Sequence, residues 1–93
     1  MSTRVENYAS EVITWINVEL PGLKPSLAQL YALLALVKGT DTTLEDVHDA
    51  WAVWTAATRG DHRSLIPFAE LSHEVQELDR EYMDGIHRAA QRR

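Results

Sequence analysis

The sequence predicts an all-α domain, a compact bundle of about four helices with an ordered apolar strap (61–68) between helices 3 and 4. Apolar residues recur three and four positions apart in separate segments, each bounded by proline, glycine or a capping residue. The segment from Leu27 to Val37 carries no charge and reads as a central helix that the others cover. Connections are short, and three Trp, three Tyr and the aliphatic residues supply a core for 93 residues. That length fits one domain, 1–93. With 45% apolar and 25% charged residues the chain is neither a disordered acidic polymer nor a collagen-like repeat. Cysteine is absent, so no thiol nucleophile, Cys-ligated zinc or disulfide is available.

The first helix spans about Thr3 to Glu19, with Val5, Tyr8, Val12, Trp15 and Ile16 on one face and Glu6, Asn7, Glu11 and Asn17 on the other. Two prolines and a glycine between Leu20 and Pro25 stop it. Ser26 with Gln29 reads as a capping box opening the central helix, which ends at Lys38 and Gly39. Thr42 with Glu45 reads as a second box. From there Leu44, Val47, Trp51, Trp54 and Thr58 form a stripe that runs to Arg59-Gly60. Leu65, Ile66 and Phe68 are unusually apolar for a loop and predict a strap fixed over the helices, with Pro67 restricting the backbone. The last helix runs from about Ala69 or Ser72 to Arg88, followed by a basic tail, 89–93.

Nine Lys and Arg against fourteen Asp and Glu give a net charge of -5. A nucleic-acid binder gains affinity by neutralising phosphates with a basic face, and 39–58 contains no Lys or Arg at all, so no nucleic-acid partner is expected. The N-terminus lacks a signal-peptide apolar stretch, and the longest apolar run is far short of the ~20 residues that span a bilayer. The expectation is a cytoplasmic chain with no membrane partner. A domain this small leaves much surface exposed, which makes a homodimer an open alternative.

Two Glu-x-x-His steps, Glu45 with His48 and Glu70 with His73, are the nearest approach to a metal site. A di-iron carboxylate centre needs further carboxylates from the other helices, and the second helix has none. Neither a glycine-framed serine nor a glycine-rich phosphate loop is present. The reading is therefore not an enzyme, with no catalytic residue, no metal and no cofactor. His48 reads as a partly buried, hydrogen-bonded histidine. The last helix has two readings, a solvated acidic face or a docking strip. In a heptad frame Leu71 and Leu78 fall at d, Val75 and Tyr82 at a, and Glu74 and Glu81 at g. Leu71, Glu74, Val75, Glu77, Leu78, Glu81 and Tyr82 are accordingly the candidate protein-interaction residues, an apolar strip with a negative border for a basic helical partner.

The stretches His48-Asp49-Ala50-Trp51, Asp61-His62-Arg63-Ser64-Leu65-Ile66-Pro67-Phe68-Ala69-Glu70-Leu71 and Glu77-Leu78-Asp79-Arg80-Glu81 resemble the ryanodine-receptor repeat (RyR domain). Residues 48–88 form the similar half, after a helical N-terminal half, 1–47. Arg63 replaces a proline of that pattern, and the Gly-Trp-x-Tyr-Gly segment before the strap is missing. The resemblance implies a small-ligand pocket between the Trp51 helix and the strap, with His48, Trp51, His62, Arg63 and Phe68 as its candidate residues.

The whole chain looks similar to small actinobacteriophage proteins, especially mycobacteriophage proteins. The cues are Val-Glu-Asn-Tyr, Leu-Tyr-Ala-Leu-Leu-Ala-Leu-Val-Lys-Gly-Thr-Asp and the Trp-x-x-Trp to Pro-Phe half. In length and character it resembles a cytotoxic protein of superinfection exclusion. That resemblance implies a phage accessory protein that binds and inactivates a host protein, the DivIVA-type polar-growth coiled coil, in the host-cell cytoplasm or at the poles.

Overall fold

The computed structural model describes residues 7–93, and the expected start of the first helix, Thr3 to Glu6, lies outside them. The fold is an all-α bundle with no strand among the described residues. Its helices are α1 (Tyr8–Glu19), α2 (Pro25–Val37), α3 (Leu44–Thr58), the short α4 (His73–Glu77) and α5 (Arg80–Gln91). Helix α2 packs against α1, α3 and α5, and α1 also packs against α5. The expected central helix is therefore central.

Asn7 caps α1 by accepting from the Ser10 N–H at 2.8 Å, and Val12, Ile16 and Leu20 send its apolar face into the core. Gly22 adopts φ 91, a left-handed turn that costs little without a Cβ, and Pro25 starts α2 at its first position. The cap of α2 differs from the sequence reading. Lys24 is the N-cap and provides no side-chain bond, while Ser26 Oγ accepts from Trp54 Nε1 at 2.7 Å. Pro25 takes the first position of α2, which puts Ser26 inside the first turn and not at the cap, and leaves its hydroxyl to accept from α3.

Helix α2 buries Leu27, Ala28, Tyr31, Ala32 and Ala35. It leaves Leu33 and Val37 more than half exposed, so one stripe of this charge-free helix remains uncovered. After it, Gly39 takes φ 59 and begins a 3-10 turn, Gly39–Asp41, which shifts the next cap by one residue from the expected Thr42–Glu45 box. Thr43 and Asp46 form the capping box of α3, at 3.1 and 2.9 Å. Thr42 is buried, its hydroxyl donating to the Gly39 carbonyl and its own carbonyl accepting from His87 Nε2 at 2.8 Å.

The predicted single last helix is broken. Ser72 caps α4, and Leu78 and Asp79 bond three residues back, to Val75 and Gln76, before α5 resumes at Arg80. This tightened turn kinks the path. Leu71 lies outside both helices, so the heptad seam through Leu71, Val75, Leu78 and Tyr82 does not exist as one helical face. The basic tail is also corrected: α5 continues to Gln91, and Ala89 is fully buried. Arg88 and Arg92 reach back to Glu19 of α1 at 2.7 and 2.8 Å, closing α5 onto the end of α1. At Gly85 an added Cβ would stand 2.5 Å from Leu20 Cγ, so glycine allows this close approach of α5 to the end of α1.

Two stability predictions follow from these contacts. Thr55 Oγ1 is buried without a hydrogen-bond partner among the described residues, so Thr55→Val should leave stability unchanged or raise it by up to about 1 kcal/mol in urea unfolding. The Glu19 carboxyl is held below its ordinary value by hydrogen bonds from Arg88 and then Arg92. Its folded pKa is the lower one, so its contribution is present above the unfolded value and is lost as pH falls through the folded value. Glu19→Gln should therefore weaken the protein at neutral pH. The two unfolding curves should converge once pH falls well below 4.5.

Candidate functional site

The segment between α3 and α4 has little regular structure, so its backbone groups need partners from elsewhere. His48 supplies the central one. The residue is 3% exposed, and Nε2–H donates to the Ile66 carbonyl at 2.8 Å. A carbonyl can only accept, so Nε2 of His48 carries a proton. Trp51, one turn along α3, lies 5.7 Å from the His48 ring, and Phe68 lies 6.1 Å from it. Trp51 also meets His62 edge-on at 5.0 Å. His62 Nδ1 accepts from the Ser64 N–H, which fixes its ring within the strap. Gln76 of α4 donates to the carbonyls of Phe68 and Leu71, at 2.8 and 3.3 Å, and ties down the far end. The strap is thus fixed as predicted, except that Ile66 points outward enough to be 39% exposed.

This anchoring leaves an open cleft of about 450 Å³ between the strap, α2, α3 and the α4–α5 turn. His48, Trp51 and His62 line one side. Leu27 and Tyr31 of α2 line another, and Val75, Leu78, Asp79, Glu81 and Tyr82 complete it. The two sets of residues singled out in the sequence therefore meet in one site. Arg63 is exposed and does not line the cleft, where Ser64 stands instead. Phe68 supports His48 from outside it. Of the acidic stripe, Glu74 is exposed, Glu77 is paired with Arg80 at 2.7 and 3.2 Å, and Glu81 reaches the cleft. Leu71, outside the helices, is half-buried and does not line it.

Tyr31 and Asp79 are functional candidates that the sequence reading missed. Burial pushes the Asp79 carboxyl above its ordinary value, partly offset by the nearby His48. Burial also raises the Tyr31 hydroxyl, and the Asp79 and Tyr82 charges add to the effect. The ring of Tyr31 lies 6.0 Å from that of Tyr82 across the α2–α5 contact. One signal was available for Tyr31, the only aromatic in a helix of Leu and Ala. Asp79 offered none, because its burial depends on the kink.

Residues 7–91 match a family described as "Domain of unknown function (DUF7701)". The chain belongs to that family. No curated protein and no solved structure matches it. Among the described residues of this DUF7701 chain, no group of three or more His, Asp or Glu comes together to hold a metal, and the two Glu-x-x-His steps stay apart in separate elements. No described helix is long and apolar enough to cross a membrane.

His48→Phe keeps an aromatic ring and removes the donor to Ile66. It should cost about 1–3 kcal/mol in chemical unfolding. Hydrogen exchange should locate the damage: the Leu65 amide, bonded to the His62 carbonyl, should exchange faster, while the core amides of α1 change little. Equal protection of Leu65 in both proteins would show that His48 does not hold the strap.

Proposed function

We propose that this chain is a non-enzymatic binding module whose working surface is the cleft behind the strap. The observation that carries the reading is the convergence in one open cleft of Trp51, His62, Leu78 and Tyr82, with Leu78 68% exposed. Aromatic side chains beside an exposed aliphatic anchor are the composition that concentrates binding energy at protein interfaces. The kink between α4 and α5 favours a partner that inserts side chains into the cleft over one that zips along a continuous heptad seam.

For the partner, the likeness to phage proteins supports a host protein that this chain binds and inactivates in superinfection exclusion. The DivIVA-type polar scaffold is the first candidate. Such a long coiled coil presents repeated helical side chains, and recruitment to it would bring the chain from the host cytoplasm to the poles.

The test is calorimetric titration of the purified chain against the host scaffold, beside Leu78→Asp and Val53→Asp variants. Both positions are more than 60% exposed, so both variants should fold. Leu78→Asp should weaken binding at least about tenfold and Val53→Asp should not. Equal binding by all three proteins would remove the cleft as the contact surface.

A second reading, a small-ligand pocket of ryanodine-receptor-repeat type, is favoured by the cleft volume. About 450 Å³ falls within the range of small-molecule sites, roughly 300–1,000 Å³. A ligand that raises the melting temperature of the parent but not of Trp51→Ala would support that reading instead.

A further inference from the structure

The cleft combines aromatic faces with negative charge, and the bases on its wall are the imidazoles of His48 and His62. Trp51, Tyr31 and Tyr82 line it together with the carboxylates of Asp79 and Glu81, and neither Lys nor Arg is among its lining residues. Elsewhere most of the partly sheltered carboxylates have partners. Glu19 is clamped by Arg88 and Arg92, Asp46 faces Lys38 at 3.3 Å, and Glu77 holds Arg80. Asp84 and Asp79 have no partner among the described residues, and of the two only Asp79 lines the cleft. It is only partly exposed, and among the described residues neither a salt bridge nor a hydrogen bond answers its carboxylate, even though it stands at the N-cap position of α5. Tyr31 adds an independent sign. The residue is 1% exposed, yet its ring borders the cleft, and no described residue hydrogen-bonds its hydroxyl.

An unanswered carboxylate in an apolar setting is costly, and a cation that brings its own hydrogen-bond donors removes the cost. Aromatic faces attract such a cation further through their quadrupoles. We infer that the cleft receives the cationic head of a basic side chain, arginine ahead of lysine, with Asp79 as its ion-pair partner, the Tyr31 hydroxyl as a second acceptor and Trp51 as the aromatic wall. Arginine is preferred because its flat guanidinium can stack on the indole while its fork of N–H groups meets the carboxylate. The inference rests on the binding-module reading and specifies which partner residue enters the cleft.

The intact chain is titrated with Nα-acetyl-arginine amide, Nα-acetyl-lysine amide and the neutral Nα-acetyl-citrulline amide, following the Trp51 indole and backbone amides by NMR. The arginine compound should saturate and shift the Trp51 and Tyr31 signals. The lysine compound should bind in the same place more weakly, and citrulline at least about tenfold more weakly than arginine. Asp79→Asn should erase most of the preference for arginine over citrulline. Its melting temperature should stay the same or rise, because the charge it removes is unpaired. Equal binding of arginine and citrulline would overturn the cation assignment, as would an arginine preference that survives Asp79→Asn.

The same variants separate this inference from the reading beneath it. If Leu78→Asp abolishes binding of the host scaffold while Asp79→Asn leaves it intact, the cleft binds its partner without a cation and only the inference fails. If arginine amide binds in an Asp79-dependent way but neither variant affects the scaffold, the cation site stands and the protein-binding reading fails.

Discussion

A charge-free helix in a small domain must bury most of its surface, and α2 imposes that constraint on the other elements, with only the stripe of Leu33 and Val37 left open. Between Leu27 and Val37 it has no group that gains from facing water except Gln29 and the Tyr31 hydroxyl. Three of its five buried residues are alanine, which lets neighbouring backbones come close. Gly85 and Ala89 on α5 are equally small, and α1 closes the third side with Val12, Ile16 and Leu20. Ion pairs then fix the ends of this arrangement: Lys38 to Asp46 at the start of α3, and Glu19 to Arg88 and Arg92 at the end of α5. These surface pairs contribute little each, and the apolar contact beneath them supplies most of the stability.

The cleft is a consequence of how the second half of the chain meets this core. A loop carrying Leu65 and Phe68 cannot float, because its apolar side chains and its unpaired backbone groups both need cover. One buried histidine meets both needs, presenting an aromatic face to Phe68 and an N–H to Ile66. With the strap held there, the chain returns toward α2 through a tightened turn at Leu78 and Asp79 rather than as one straight helix. The turn leaves Leu78 exposed and shelters Asp79. Both are expensive choices in a free protein, and both have a use if the surface is made to be covered by a partner.

Periodicity and punctuation made the helices legible. The boundary of α3 at Arg59, the stop after Leu20 and the apolar strap all follow from residues whose local preferences agree with the fold. The capping boxes were less legible, because Ser26 and Thr42 have the right neighbours for caps but are occupied by Trp54 and by the Gly39 and His87 contacts. The last helix misled for a related reason. Its apolar and acidic residues keep a helical rhythm straight through Leu78 and Asp79, and rhythm cannot register a change of backbone hydrogen bonding from four residues to three.

The sequence by itself determined the class of the protein: an acidic, cysteine-free all-α bundle whose central helix is the one without charge, with an ordered apolar strap before the last helical segment. Those properties are local, set by spacing, caps and composition. Only the tertiary structure decided that Tyr31, from the other half of the chain, faces the same cleft as Asp79, and that Asp79 is sheltered there with no partner among the described residues. A charge acquires that character from what packs around it, and the residues that surround Asp79 come from α2, α3 and the strap, far away along the chain.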